Sequence, residues 1–262
     1  MGLKTGFIDL DNMLGGLQKG KLYILGARTG MGKTAFAINL ARNIAIRNGN
    51  KVLFASLEMS MHQFISKLFF VESGFDLERL RKCSDNWEED KQISKAARRI
   101  WASDITVDDT AGMSVEELRE SFLEIPQDRR PDVIIIDYFQ LMSENMKYQS
   151  RMEEIVFICG CLKKMAEEFD VPILALSLIS RAVDIRQGHR PELPDFLYLY
   201  KCAMEQYVDV VISLYRDDYY VSGDAPKNGI AEMTILKNSI GETGTVYLNF
   251  IPERLEFTNC KA

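Results

Sequence analysis

The stretch from Tyr23 to Asn43 reads "YILGARTGMGKTAFAINLARN" and decides the fold. It begins with an apolar run of strand length, continues through a glycine-rich loop, and ends in a pattern with helical spacing. Residues Ala27 to Thr34 match G-x-x-x-x-G-K-[ST] at every defined position except the first, where Ala27 stands beside Gly26. A loop of this kind between a buried strand and a helix is typical of a phosphate cradle.

The chemistry of this loop follows from its residue types. Gly30 and Gly32 let the backbone bend so that successive N–H groups point inward, and the helix that begins near Lys33 adds its positive dipole end. The pattern then predicts that Lys33 reaches the β- and γ-phosphates and that the Thr34 hydroxyl binds Mg²⁺. The predicted nucleotide-binding residues of the loop are Ala27, Arg28, Thr29, Gly30, Met31, Gly32, Lys33, Thr34 and Ala35.

Two acidic residues follow other strand-like runs. Asp137 comes directly after the apolar run "VIII", and Glu58 ends "VLFASLE". Open α/β sheets bind ligands at the carboxyl ends of their strands, so we expect both acids to converge on Lys33. Asp137 then orders the Mg²⁺ shell opposite Thr34, and Glu58 is a candidate base for water. Each has a structural alternative, because Asp also caps turns and Glu is common at helix amino termini.

The rest of the chain alternates short apolar runs with helical patterns. The strand-like runs are "KLYILGA", "KVLFASL", "DITVDD", "DVIIIDY", "VPILALSL" and "VDVVISLYR". Runs without polar alternation are typical of strands buried on both faces of a parallel sheet. The tail differs, because "GIAEMTILKN" and "GTVYLNF" alternate apolar and polar residues around "SIGETG". The sequence predicts an α/β fold with a mostly parallel twisted sheet, flanking helices, a C-terminal antiparallel hairpin and a single domain over 1–262.

Composition excludes several classes of protein. The 262 residues carry 32 basic and 38 acidic side chains, a net charge of -6, so any polyanion must meet a local basic patch. The five scattered cysteines have neither zinc-ligand spacing nor disulfide density, which favours reduced thiols in a cytoplasmic protein. The N-terminus has no signal-peptide pattern, and no apolar run reaches the length of about 18 residues that a membrane span needs. We expect no membrane association.

The ordered set of motifs resembles one family. The segments "GMGKTAFAINLARN", "LFASLEMS", "DDTAGMSVEELR", "IIIDYFQLM" and "LYRDDYY" resemble, in order and spacing, the C-terminal ATPase domain of DnaB-type replicative helicases. The Ala at the first P-loop position is also usual in that family. The resemblance implies a RecA-like P-loop NTPase, a hexameric ring with ATP between subunits, and movement along single-stranded DNA. It also implies primase or loader partners, and we expect the family's N-terminal helical domain to lie outside these 262 residues.

The resemblance assigns roles to further positions. It implies that Glu58 activates water, that Gln140 couples the end of its strand to neighbouring loops, and that Arg216 and Tyr219 lie near the nucleotide base. It implies that Lys237 reaches the ATP of a neighbouring subunit. The cofactors implied are ATP and Mg²⁺.

Two departures from the family pattern bear on activity. Leu178 stands where the family has a γ-phosphate-sensing Gln, and Ser239 stands at the arginine-finger position. An arginine finger contributes about 10³–10⁵ in rate in other phosphoryl-transfer enzymes, and serine has neither its charge nor its reach. Arg254 is a candidate replacement. The alternative hypothesis is therefore a diverged ATP-binding module with weak hydrolysis that binds DNA or a helicase ring.

Two segments are candidates for contact with DNA. Arg181, Arg186 and Arg190 lie in what resembles the first DNA-facing loop, although a solvated surface loop is the alternative. The segment 196–200, "FLYLY", either stacks on bases or packs against protein, and we favour packing. We expect both histidines, His62 and His189, to face solvent.

Overall fold

The computed structural model of the chain describes residues 2–75, 79, 87–144, 147–196, 201–221 and 228–260. The strands are β1 (Leu22–Ala27), β2 (Val52–Ser56), β3 (Ile105–Asp108), β4 (Val133–Asp137), β5 (Ile173–Leu178), β6 (Val210–Tyr215), β7 (Ile230–Asn238), β8 (Gly244–Ile251) and β9 (Glu256–Asn259). The α-helices are α1 (Ile8–Leu14), α2 (Lys33–Arg42), α3 (Met61–Ser73), α4 (Trp87–Trp101), α5 (Val115–Glu124), α6 (Arg151–Phe169) and α7 (Lys201–Gln206).

The strands form one sheet in the order β3-β2-β4-β5-β1-β6-β7-β8-β9. The first six in this order pair in parallel, and the remaining pairs are antiparallel. The side chains of β1, β2, β4 and β6 are buried along their whole length, as expected for strands with helices on both faces. Strands β7 and β8 alternate buried residues with half-buried or exposed ones, which is the pattern of strands with one face towards solvent. The predicted mostly parallel sheet and its antiparallel hairpin are confirmed.

Apolar layers lie on both faces of the sheet. One layer joins α1, α2 and α3 to side chains such as Phe54, Ile135 and Leu176. The other joins α5, α6 and α7 to side chains such as Leu53, Ile134 and Ala175, which alternate with the first set along the strands. Ser60 and Ser114 begin α3 and α5 with capping boxes, which fix where these helices start. No helix among the described residues is both long and apolar enough to cross a bilayer.

Because the strands are parallel, the carboxyl ends of β1, β2, β4 and β5 lie along the same side of the sheet. Register pairs Ser56 with Asp137 at the ends of β2 and β4, and Ala27 with Leu178 at the ends of β1 and β5. The loops that follow these four residues therefore meet at one place, which is where open α/β sheets hold their ligands.

Some elements were not predicted from the sequence. Helix α1, helix α7 and strand β9 are short, and long-range contacts hold the first and last of them. Asn259 accepts a hydrogen bond from the Ile8 backbone nitrogen at 2.7 Å and donates one to the Gly6 carbonyl oxygen at 3.2 Å. Contacts across some 250 residues leave no local pattern, which is why these elements escaped the sequence reading.

The predicted packing of the aromatic segment is tested at one position. Phe196 is buried, and a Cβ atom added to Gly26 would lie 2.1 Å from its ring. Phe196 therefore packs beneath the end of β1, in the space that a glycine there leaves open. Leu197, Tyr198, Leu199 and Tyr200 lie outside the described residues.

Candidate nucleotide-binding site

A pocket of about 590 Å³ opens at this side of the sheet. Its walls come from the glycine-rich loop, the end of β2, helix α3 and the segment after β8. The residues that line it are Arg28, Thr29, Gly30, Gly32, Lys33, Thr34, Ala35, Glu58, Lys67, Tyr138, Leu178, Arg216, Phe250, Pro252 and Leu255. Most of the predicted loop residues thus share one pocket with Glu58 and Arg216.

The two central glycines give the loop its shape. Gly30 and Gly32 have φ values of 83° and 96°, a region that residues with a Cβ atom rarely adopt. A Cβ atom on Gly30 would also lie 2.6 Å from the Tyr219 ring. Among the described residues no side chain caps the amino terminus of α2, so its first N–H groups remain available to an anion. Ala27 and Met31 are buried in the hydrophobic core.

Lys33 and Asp137 form a buried pair without hydrogen bonds. The Lys33 side chain is 7% exposed and that of Asp137 is 0% exposed, and Lys33 Nζ lies 3.9 Å from Asp137 Oδ1. Neither Nζ nor either carboxylate oxygen has a hydrogen-bond partner within the described parts of the chain. The ammonium group also lies 4.4 Å from the centre of the Tyr138 ring. Buried polar groups are normally satisfied, so this arrangement indicates a place for a ligand.

Burial changes the proton affinity of both groups. It lowers the pKa of Lys33 to about 8, although the charges of Asp137 and Glu58 act in the opposite direction. Burial also raises the pKa of Asp137, whereas the positive charge of Lys33 and the polar Thr34 side chain act to lower it. A phosphate anion beside Lys33 and a cation beside Asp137 would stabilise the charged form of each group.

The donor set fits a nucleotide triphosphate with a divalent cation. The helix amino terminus and Lys33 supply donors for phosphate oxygens, while the Thr34 hydroxyl and the Asp137 carboxylate supply the oxygen ligands that Mg²⁺ prefers. Glu58 is exposed at the end of β2 and faces the same pocket. An exposed carboxylate at this position is accessible to water next to a bound phosphate.

Gln140 bridges the ends of two central strands. Its Nε2 donates to Ser177 Oγ at 2.8 Å and to the Leu178 carbonyl oxygen at 3.1 Å, and its Oε1 accepts from the Leu178 nitrogen at 3.4 Å. The Leu178 side chain lines the pocket but offers it only apolar atoms. Gln140 is therefore the amide side chain that joins the end of β4 to the end of β5.

A further group of side chains lies on the Gly30 side of the pocket. Arg216 donates from Nη2 to the Gly30 carbonyl oxygen at 3.2 Å, and its guanidinium lies 4.2 Å from the centre of the Phe250 ring. Tyr219 is 46% exposed and contacts Gly30 from outside. These groups offer flat surfaces of the kind on which a purine or pyrimidine base stacks.

Sequence reasoning missed Lys67, Tyr138 and Phe250 as wall residues. Lys67 lies on α3 and lines the pocket, where its charge favours the ionised form of Asp137. Phe64, Leu68 and Val71 define the buried face of α3, which places Lys67 at its margin. That helical spacing was the available signal for Lys67, whereas Phe250 reaches the pocket only through the fold of the hairpin.

The profile of the DnaB-like helicase C-terminal domain family matches residues 2–259. The chain belongs to this family. It is similar to the replicative DNA helicase DnaB of Geobacillus stearothermophilus, with 36% identity over 259 residues, which cover 98% of this chain and 56% of that relative. The replicative DNA helicase DnaC of Bacillus subtilis strain 168 is 37% identical over the same shares of the two chains. The chain thus spans about half the length of the curated relatives it matches.

Solved structures agree with membership of this DnaB-like family. One of them, described as an ATPase domain, has a TM-score of 0.89 and 34% identity, and the match covers 100% of this chain and 92% of that one. A DnaB-like replicative helicase, described with its interactions with primase, has a TM-score of 0.90 and 34% identity over 100% and 62% of the two chains. The RadB recombinase, with a TM-score of 0.61 and 15% identity over 99% and 100%, shares the fold alone. The resemblance and the predicted RecA-like fold are confirmed.

Lys237, the DnaB-type position predicted to act on a neighbour, lies outside the pocket. It pairs with Val211 near the amino-terminal end of β6, whereas the glycine-rich loop follows the carboxyl end of β1. Its Nζ donates to the Met204 carbonyl oxygen and, at 2.6 Å, to that of Val208. In this chain Lys237 caps the short helix α7.

Ser239 and Arg254, the two other positions considered for a catalytic cation, lie in different places. The Ser239 nitrogen donates to the Asp209 carbonyl oxygen at 2.9 Å, and its Oγ donates to Asp209 Oδ1 at 3.4 Å. Arg254 is exposed in a turn whose neighbours Pro252 and Leu255 line the pocket of this same chain. Arg254 therefore lies in the turn after β8, next to the pocket of its own chain, whereas Ser239 follows β7.

The three candidate DNA-binding arginines differ in their surroundings. Arg186 makes two hydrogen bonds to Asp195, at 2.7 and 2.9 Å, and Arg190 makes two to Glu232, at 2.8 and 2.6 Å. Arg181 is exposed, and no salt bridge within the described ranges involves it. Arg181 is thus the arginine of this loop whose charge is least compensated.

The expectation for His189 was wrong. Its ring is half-buried and stacks on Tyr220, with 4.1 Å between the ring centres. The prediction failed because Tyr220 follows β6, on a different part of the chain, and local sequence gives no sign of the contact. His62 is exposed on α3 as expected.

Proposed function

We propose that this chain is the ATP-hydrolysing motor domain of a replicative DNA helicase, which moves along single-stranded DNA as a hexameric ring. The observation that carries the proposal is the buried, unpartnered set of Lys33 Nζ and the two Asp137 oxygens beside a helix amino terminus. A triphosphate and Mg²⁺ satisfy all of these atoms at once. Membership of the DnaB-like family supports the choice of ATP and DNA.

Each residue then has a physical task. Lys33 and the N–H groups at the start of α2 hold the phosphates, and Arg216 with Tyr219 flanks the base. Thr34 and Asp137 would hold Mg²⁺, which would neutralise phosphate charge when bound. Glu58 accepts a proton from the attacking water at a carboxylate oxygen and orients that water.

The assembly and partners rest on the relatives. A ring of six subunits places a neighbour beside each pocket, and the arginine loop, residues 181–190, supplies basic side chains for the phosphates of single-stranded DNA. The similarity to a helicase described with primase supports a primase as a partner. We propose the cytoplasm as the location of this activity and a loader protein as a further partner.

The test compares ATP turnover with and without an oligothymidylate, using the full chain and its Glu58→Gln variant. We expect DNA to stimulate turnover and Glu58→Gln to lower it by about 10²–10⁴-fold, because the carboxamide cannot accept the proton. The matched control is Glu120→Gln, since Glu120 is exposed on α5 and lies outside the pocket. No stimulation by DNA, together with no loss in Glu58→Gln, would contradict the motor.

Assembly has its own measurement. Sedimentation with Mg²⁺ and a non-hydrolysable ATP analogue is expected to give a hexamer. A monomer at every concentration would remove the neighbouring subunit from the mechanism.

A second candidate is a DnaB-like module that binds ATP and a helicase ring but hydrolyses slowly. The observations that favour it are Leu178, which gives the pocket no hydrogen bond, and Ser239, which is engaged with Asp209. This module binds the ATP analogue with Mg²⁺ yet turns ATP over slowly with or without DNA. The same turnover assay therefore separates it from the motor.

A further inference from the structure

The arginine loop is tied directly to the phosphate cradle. Arg28, the residue that follows β1 in the cradle, donates from Nε to both oxygens of Asp184 at 3.1 Å and from Nη2 to Oδ2 at 2.7 Å. Its Nη1 donates to the Ile179 carbonyl oxygen at 3.3 Å, just before the loop. A forked contact of this kind fixes orientation as well as distance.

Aromatic side chains give the contact a second attachment. The Tyr220 hydroxyl donates to Asp184 Oδ1 at 2.7 Å, and its ring stacks on His189 of the loop. Tyr220 also meets the edge of Tyr219, whose ring lies against Gly30. Asp184 is therefore linked to the glycine-rich loop directly through Arg28 and indirectly, through Tyr220 and Tyr219, at Gly30.

The other anchors of the loop lead elsewhere. Arg186 bonds to Asp195 at the base of the loop, and Arg190 bonds to Glu232 on β7. Within the described residues, Asp184 is the side chain of the arginine loop that hydrogen-bonds to the phosphate cradle. Of these three hydrogen-bonded side-chain anchors of the loop, the one at Asp184 thus leads to the cradle and the other two lead to other parts of the fold.

The Arg28 guanidinium is within reach of two kinds of anion, the Asp184 carboxylate and a phosphate in the cradle. It lines the nucleotide pocket, and its side chain is 15% exposed, so phosphates placed in the cradle come close to the guanidinium. The Asp184 side chain is 35% exposed, which leaves room for the loop to shift when the contact weakens. Phosphate and carboxylate compete for the same planar donor group.

We infer that Arg28 and Asp184 are positioning residues that couple occupancy of the nucleotide pocket to the conformation of the arginine loop, and so to its affinity for single-stranded DNA. The inference rests on the proposed function, because it requires that this loop meets DNA. Coupling of this kind is reciprocal, so DNA changes nucleotide affinity by the same factor.

The experiment measures this factor on the full chain. A labelled oligothymidylate is titrated by fluorescence anisotropy with and without a non-hydrolysable ATP analogue and Mg²⁺, and the ratio of the two Kd values is the coupling factor. We expect a factor of about 5–150 in either direction for the wild type. Asp184→Ala and Arg28→Ala should each bring it close to one. The double variant should go no further, since both remove the same contact.

Two control variants remove other hydrogen bonds of the arginine loop or of Asp184 and leave the Arg28–Asp184 contact in place. Glu232→Ala removes the carboxylate partner of another arginine of the loop, and Tyr220→Phe removes only the second hydrogen bond to Asp184. Glu232→Ala should keep the wild-type factor, whereas Tyr220→Phe, which keeps the Arg28 fork and loses the second hydrogen bond to Asp184, should lower it only in part. If Asp184→Ala does not fold, Arg28→Lys tests the same contact, because it keeps the charge and loses the fork.

The outcomes separate the two proposals. If the wild type binds no DNA, the proposed function fails and the inference fails with it. If the wild type binds DNA with a factor near one, or if Asp184→Ala keeps the wild-type factor, the inference alone is overturned.

Discussion

Lys33 lies near the carboxyl ends of the parallel strands and Lys237 near the amino-terminal end of β6. Both side chains are at least partly buried, but their ammonium groups differ in their hydrogen bonds. Burial lowers the pKa of both, but Lys33 Nζ has no hydrogen-bond partner in the described chain, whereas Lys237 Nζ donates to two carbonyl oxygens. Beside Lys237, Ser239 is likewise bonded to Asp209. A buried ammonium without hydrogen bonds indicates a ligand-binding role, and one with hydrogen bonds indicates a structural role. Five predictions test this contrast.

The largest effect is expected for Lys33→Met. If Lys33 binds phosphate as proposed, removal of its ammonium should lower ATP turnover by about 10²–10³-fold. Stability should not fall, because the folded chain already bears the cost of burying this ammonium without a hydrogen bond. Turnover and urea unfolding are measured together, with the exposed Lys164→Met as the control. Retained turnover, or a large loss of stability, would place Lys33 with Lys237 as a structural residue.

The next effect is a gain. Ser239→Arg restores a cation at the family's arginine-finger position, and we expect turnover to rise by about tenfold or more in the assembled state, within the range of such residues. The rise should appear only at protein concentrations where sedimentation detects a ring, since the arginine acts on a neighbour. An equal rise in a monomeric sample, or no rise in a ring, would contradict a missing intersubunit cation.

A pH titration sharpens the account of Lys33. Because its pKa is about 8, the ammonium loses its proton as pH rises through that value, and affinity for the ATP analogue should fall by up to about tenfold per pH unit above it. Lys33→Arg stays charged, so its affinity should not change across this window. The analogue Kd between pH 7 and 9.5 is the measurement, and a parallel fall in Lys33→Arg would assign the titration to another group.

The same shift has a consequence for stability. Between about pH 8 and the usual lysine pKa of 10.5, the unfolded chain binds a proton that folded Lys33 has released. The contribution of Lys33 to the free energy of unfolding should therefore rise with pH across this window. Lys33→Arg should lack that contribution.

The pocket and the Lys237 region also differ in how well sequence predicts them. Lys33, Thr34 and the glycines form a contiguous motif, and Asp137 and Glu58 each end an apolar run, so local pattern and strand order suffice to bring them together. The central parallel sheet was predictable for the same reason. Lys67 was marked by the helical spacing of α3, but Phe250 reaches the pocket only through the fold of the hairpin, which no local pattern encodes.

The contacts of Lys237 were beyond the sequence for a related reason. Its partners, Met204 and Val208, belong to a short helix and loop that the sequence reading did not identify. The Arg28–Asp184 contact likewise joins residues that are 156 positions apart. Motifs reveal which groups do chemistry, whereas the side chains that hold those groups in place depend on tertiary structure.

The smallest effect is expected for Lys237→Met. Two carbonyl oxygens lose their donor, and because the site is only half-buried, water replaces part of the loss, so we expect the free energy of unfolding to fall by about 1 kcal/mol. Urea unfolding measures the change against the exposed Lys164→Met, which should stay within about 0.5 kcal/mol of wild type. A Lys237→Met chain as stable as that control would mean that the carbonyl contacts contribute nothing. The lysine would then be available to a neighbouring subunit, and the contrast with Lys33 would be lost.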